Sequence, residues 1–272
     1  MIIDIHTHIF PDKLAERAIK VLEDNILKVS KREEKAKLDG KLQSLMDSMK
    51  KNDITVSAVM PIATNPSQTD TINAFASEIN GKGNVYSFGS VHPNDEKACE
   101  HLEKIKELGL KGIKLHPEYQ SFYIDSKESL RVLEKAEELG LYVMLHAGAD
   151  IGMAPPVHCE PEQLKNALNY VSGKNIIAAH MGGYMRWEKV LKYLVDTPIY
   201  FDTSYSVGQM DDELAKEIIK AHGADKILFG SDSPWMDQGY VAEKIREFNL
   251  GEEAQRKIFW ENGAKIFDIL EG

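Results

Sequence analysis

A chain of 272 residues with 43 % hydrophobic and 28 % charged residues has the composition of a soluble globular protein with a sizeable core. The formal charge of −10 argues against nucleic acid and anionic membranes as partners, although a small anionic substrate can still meet a local cationic site. The two cysteines, Cys99 and Cys159, lie outside any CxxC pattern, which speaks against a disulfide framework or a cysteine zinc site and points to a reducing cytoplasm. Neither a signal peptide nor an apolar run long enough to span a membrane is legible.

Short β-rich runs recur in chain order: Ile2–Ile9, Thr55–Pro61, Val85–Val91, Gly112–His116, Leu141–His146, Asn175–His180, Pro198–Thr203 and Lys226–Ser231. Between them lie segments with helical spacing. Leu130, Leu133, Ala136 and Leu139 recur every third residue until Gly140 stops them, and Leu102, Ile105 and Leu108 do the same before Gly109. Strands alternating with helices imply parallel βαβ units, and eight units in a chain of this size predict a single-domain α/β fold, a (β/α)8 TIM barrel. Neither a GxGxxG nor a GxxxxGK[ST] motif supports an open nucleotide-binding sheet. Residues 11–50 exceed an ordinary connection and are expected to be a helical insertion after the first strand. Residues 252–270 are expected to form one amphipathic helix closing the barrel.

Catalytic residues of such barrels sit at the C-terminal ends of the strands. Here His6 and His8 end the first strand, His92 follows the third, and His116, His146 and His180 end the fourth, fifth and sixth. Asp202 lies in the seventh strand and Asp232 follows the eighth. Strict strand alternation would put His6 and His8 on the axial face and Ile5 and Thr7 on the other. Two imidazoles at i and i+2, joined by His146, His180 and Asp232 from other strand ends, predict a site for Zn²⁺ or a similar divalent ion.

The stretches DIHTHIF (4–10), GIKLHPEYQ (112–120), MLHAG (144–148), AAHMGG (178–183), YFDTS (200–204) and FGSDSPW (229–235) together resemble the amidohydrolase superfamily. The likeness is strongest to its amidohydrolase-related branch, which holds aminocarboxymuconate-semialdehyde decarboxylase-like enzymes and TIM-barrel metal-dependent hydrolases. The resemblance implies metal ligation by His6, His8, His146 and Asp232. It implies proton transfer by His180 and Asp232, one zinc ion with a second left open, and a homodimer. In binuclear relatives a carboxylated lysine on the fourth strand bridges two metals, a part open to Lys114. A cationic Lys114 or a His116 touching a substrate carboxylate or carbonyl is the other expectation. Tyr119, Asp150 and His158, in the loops after the fourth and fifth strands, are further candidates for substrate contact. Asp202 is expected to hydrogen-bond a ligand rather than bind metal.

A divalent ion lowers the pKa of bound water to about 7 and polarises a carbonyl oxygen. The main expectation is therefore a cytoplasmic metal-dependent hydrolase that cleaves an amide, ester or lactone of a small molecule. The alternative is a lyase that decarboxylates a small carboxylic acid without oxidation, on the same ligands.

Overall fold

A computed structural model describes residues 1–269. Eight short strands follow one another: β1 Ile3–Thr7, β2 Val56–Val59, β3 Val85–Ser87, β4 Gly112–Leu115, β5 Tyr142–Leu145, β6 Ile176–Ala178, β7 Tyr200–Asp202 and β8 Ile227–Leu228. All pair in parallel, in the orders β1-β2-β3 and β4-β5-β6-β7-β8. Backbone bonds bridge both seams. Gly89 N–H donates to Gly112 O and Lys114 N–H to Gly89 O, each at 2.8 Å. Ile5 N–H donates to Phe229 O at 2.9 Å, Asp232 N–H to His6 O at 2.9 Å and His8 N–H to Ser233 O at 2.6 Å. Close packing of β4 on β5 needs a glycine, since a Cβ on Gly112 would lie 2.4 Å from Tyr142 O.

Helices occupy the intervals: α1 Asp12–Ser30, α2 Leu42–Lys51, α3 Thr69–Ile79, α4 Ala98–Glu107, α5 Pro117–Gln120, α6 Lys127–Leu139, α7 Pro161–Ala167, α8 Trp187–Tyr193, α9 Asp212–His222, α10 Gln238–Glu247, α11 Glu252–Arg256 and α12 Asn262–Phe267. Local chemistry sets their ends. The Ser126 hydroxyl accepts from Ser129 N–H at the start of α6, and Gly140 closes it in the left-handed conformation. Asp211 caps α9 by accepting from the N–H groups of Glu213 and Leu214. Among the described residues no helix is long and apolar enough to cross a membrane.

The strands sort their side chains into two apolar clusters. Ile113, Leu115, Val143, Leu145, Ile176 and Ala178 pack with Leu102, Leu133 and Ala136 of the helices. Ile3, Ile5, Val56, Ala58, Met144, Ile177 and Leu228 share a second cluster with Trp260 and Phe267 of the C-terminal segment. Ile5 therefore belongs with the residues of the second cluster, and strict alternation along β1 does not hold. The pairing of β1 with β2 slips between Asp4 and Thr7, and such an irregularity re-aims side chains next to a site.

Two other expectations change. The 11–50 segment holds α1 and α2 with an irregular stretch between them, so it is helical only in part. The expected C-terminal helix runs unbroken from Glu252 to Phe267 but carries a π turn at Lys257–Glu261, where Ile258, Phe259 and Trp260 are all buried. Leu270, at the end of that expected helix, lies outside the described residues.

Asp4 is fully buried and clamps this end of the barrel. Its Oδ1 accepts from Ser231 N–H at 2.9 Å and from His6 N–H at 3.2 Å. Its Oδ2 accepts from Ser231 Oγ at 2.6 Å and from Gln238 Nε2 at 2.7 Å. Gln238 also accepts from Ser48 Oγ at 2.8 Å and donates to Ser57 Oγ, so one buried carboxylate ties β1, β2, α2 and α10 to the loop after β8. Burial pushes the Asp4 carboxyl up to about 6, against the pull of these hydrogen bonds. Asp4→Ala strands several buried donors at once and is expected to cost about 3 kcal/mol of stability, read from urea unfolding; a loss within experimental error would contradict the clamp.

Candidate metal centre

His6 emerges from the end of β1 wholly buried, and His8 follows just beyond the strand. His6 Nδ1 lies 2.7 Å from Asp202 Oδ2 at the end of β7, and a carboxylate can only accept. The proton of His6 is therefore on Nδ1, which leaves Nε2 as a bare lone pair. His8 Nδ1 lies 2.9 Å from Met60 O, again only an acceptor, so a neutral His8 presents Nε2 as a lone pair. Burial holds the His6 imidazole well below its ordinary range, so it stays neutral.

These two lone pairs lie 3.2 Å apart. Asp232 Oδ1 stands 3.2 Å from His8 Nε2 and 3.6 Å from His6 Nε2. With both rings neutral, three electron-pair donors face one another and only His6 Nε2 has another donor within reach, so a divalent cation among them would satisfy all three. The spacings also suit one: tetrahedral ligands at Zn–N and Zn–O distances are about 3.3 Å apart. Lys114, 1 % exposed, brings its ammonium to 3.0 Å from His6 Nε2 and donates there. Burial pulls that ammonium down to about 8, while Asp202, Asp232 and Asp150 pull it back up.

His146 is grouped differently from His6 and His8. Its ligand atom clusters with His116 and Asp150, whereas His6 and His8 cluster with Asp232. His146 Nε2 donates to Ala149 O at 3.0 Å, and His180 Nδ1 donates to Ser204 O at 2.9 Å. The remaining nitrogens, His146 Nδ1 and His180 Nε2, meet at 3.0 Å as two acceptors, so a proton or a cation belongs between them. His180 stands beside the first cluster, its ring 5.4 Å from that of His6. The second cluster has a different character. His116 Nδ1 accepts from Tyr119 N–H at 3.3 Å, so its Nε2 carries the proton and points at Asp150 Oδ2, 3.5 Å away. Donors facing a carboxylate need no ion. Tyr119, His116 and His146 stack in sequence, with ring centres 3.9 and 4.1 Å apart.

The cleft over these groups is lined by Tyr119, His146, Asp150, His180 and Asp232 together with Ile26, Ala149, Ile151, Tyr184, Tyr205 and Trp235. His158 turns elsewhere: its Nδ1 donates to the buried Glu118 Oε2 at 2.6 Å, and its backbone N–H donates to Glu118 Oε1. His92 accepts from Asn94 N–H within its own loop, and Arg186 pairs with Glu160.

Sequence reasoning missed Ser204. Its hydroxyl donates to Asp202 Oδ1 and lies 2.9 Å from His6 Nδ1 and 3.0 Å from His180 Nδ1. Its position two residues beyond Asp202, at the end of a strand, was the available signal. Ile26 was also missed, since nothing local says that α1 reaches the cleft.

Asp202 orients His6 and, through its other oxygen, accepts from the backbone N–H of His180 at 2.9 Å. Partners of this kind are worth about 10–100-fold in metal affinity. Asp202→Asn is expected to weaken divalent-ion binding by about that factor, measured by competition with a chromogenic chelator; unchanged affinity would remove Asp202 from the site.

The amidohydrolase family model matches residues 3–269. No curated protein matches the sequence. Among solved structures, a TIM-barrel protein from Bordetella bronchiseptica is 14 % identical, with 98 % of each chain covered and a TM-score of 0.71. A 5-carboxyvanillate decarboxylase from Sphingomonas paucimobilis is 15 % identical, covering 99 % of each chain with a TM-score of 0.67. A dihydroxybenzoic acid decarboxylase from a Polaromonas species, with bound manganese and 2-nitroresorcinol, is 18 % identical over 98 % of this chain and 97 % of its own, with a TM-score of 0.70. With a family match across almost its whole length, this chain belongs to the amidohydrolase family.

Proposed function

We propose that this protein is a divalent-metal-dependent decarboxylase of a small aromatic carboxylic acid, the lyase alternative rather than hydrolysis. The observation that carries this is the union of a lone-pair cluster with an aromatic cleft. Tyr119, Tyr184, Tyr205 and Trp235 offer ring faces and edges to a planar substrate beside His6, His8 and Asp232. The full-length likeness to decarboxylases of 5-carboxyvanillate and dihydroxybenzoic acid supports the same choice.

Held by His6, His8 and Asp232, Zn²⁺ or Mn²⁺ would anchor a substrate oxygen and draw electron density from the ring. The remaining chemistry falls to the side chains. The bond between the ring carbon and the carboxylate breaks, its electron pair stays on the ring carbon, that carbon takes one proton, and CO2 leaves. His180 Nε2 and Asp232 border the cleft and are the groups we assign to hold and deliver that proton. Burial, with the charges of Asp150 and Asp232, holds the Tyr119 hydroxyl well above its ordinary range, so it remains a hydrogen-bond donor.

The test uses metal-reconstituted protein. Hydroxybenzoic acids should release CO2 with one proton consumed, and aryl esters and lactones should stay intact. Hydrolysis of the esters or lactones without CO2 release would instead restore the hydrolase. His8→Ala should lower both metal content and turnover. His180→Asn should lower turnover by about 100-fold while most of the metal remains; loss of metal in that variant would make His180 a ligand instead.

A further inference from the structure

The charges bordering the cleft restrict what can enter it. Among the described residues, its lining contains two aspartates and three tyrosines but no lysine or arginine. Lys114 is sealed beneath it and engaged with His6. At the rim the charge of the exposed Arg32 acts on Tyr184, and that of Glu34 in the same segment opposes it. Apart from the contact of His146 with His180, the lone-pair cluster is thus the place beside the lining where a substrate carboxylate would find a cation, the divalent ion it would hold.

Asp150 is the second fixed point. Its side chain is 10 % exposed and lines the cleft. One oxygen accepts from Gly152 N–H at 2.7 Å. The other lies 3.5 Å from His116 Nε2 and 3.9 Å from His146 Nε2, both longer than good hydrogen bonds. Tyr119 is stacked on His116, and the charge of the same carboxylate acts on its hydroxyl. The group is held in place by loosely fitting neighbours and keeps acceptor capacity toward the cleft, since a carboxylate has about four lone-pair sites.

We infer that Asp150 determines specificity, selecting a monocarboxylic acid that also carries a hydroxyl or amino donor and rejecting dicarboxylic acids. This rests on the aromatic-acid reading of the same cleft. A donor on the ring satisfies Asp150. A second carboxylate would be desolvated beside it without a counter-charge, and such a clash is an effective way to refuse a close analogue.

Binding, rather than turnover, tests the idea. Benzoate, the three hydroxybenzoates and the three benzenedicarboxylates are titrated calorimetrically into the metal-loaded protein. At least one hydroxybenzoate should bind about tenfold tighter than benzoate, and every benzenedicarboxylate should bind weaker than benzoate. Asp150→Asn keeps the shape and removes the charge, so it should narrow the gap between hydroxybenzoate and benzenedicarboxylate by about tenfold. A benzenedicarboxylate that binds wild-type protein tighter than its hydroxybenzoate counterpart overturns the inference, with or without a folded variant, and leaves decarboxylation standing. If no benzoate binds at all, the aromatic-acid reading fails and takes this inference with it.

Discussion

The contact of His6 Nδ1 with Asp202 Oδ2, 2.7 Å long and fully buried at both ends, is the constraint on which the rest of the site depends. It fixes the tautomer of His6 and so decides that Nε2 meets His8 and Asp232 as a lone pair. It also joins the ends of β1 and β7. The second Asp202 oxygen holds the backbone of His180 and the hydroxyl of Ser204, so one carboxylate orients groups from β1, from the loop after β6 and from the loop after β7. In a low-dielectric interior such a group must be saturated with donors or it becomes a liability. Asp202 is saturated, as is Asp4 on the other side of β1.

Turning these side chains toward one point requires backbone that leaves the ordinary strand conformation. His180, Met181 and Asp232 all lie in the left-handed region, at φ of 62°, 55° and 68°. Residues with side chains rarely adopt it, and they do so where surrounding bonds over-determine the chain. Those bonds are present: Met181 N–H donates to Asp202 O, and Asp232 N–H donates to His6 O. The slipped pairing in β1 belongs to the same economy, because it lets Ile5 join the apolar interior while His6 still reaches the ligand cluster.

This division explains what the sequence disclosed. Strand order and the clustering of histidines at strand ends follow from β-branched runs and glycine stops, which are local. The identities of His6, His8 and Asp232 as neighbours follow from the barrel rule once eight strands are counted. Strict alternation failed at Ile5, because the slip depends on β1 pairing with β2 and not on any residue within it. The pairing of His158 with Glu118 was not legible for a similar reason: that partner lies 40 residues away and reads only as a polar residue after the fourth strand. The wall contributed by Ile26 depends on how α1 folds back, which amphipathic spacing does not encode.

The two histidine clusters look alike as lists of residues and differ in chemistry. Around His6, His8 and Asp232 each neutral imidazole spends its proton on a group that can only accept, so lone pairs face the carboxylate, with Lys114 beside that of His6. Around His116 and Asp150 the backbone N–H of Tyr119 takes the His116 lone pair, so a proton faces the carboxylate. The first arrangement suits a cation and the second is met by a neutral N–H donor. His146 and His180 lie between the two, sharing a contact that needs a proton or a cation. The protonation pattern, set by backbone carbonyls and one buried carboxylate, thus gives the cleft a direction that its residue types alone would not.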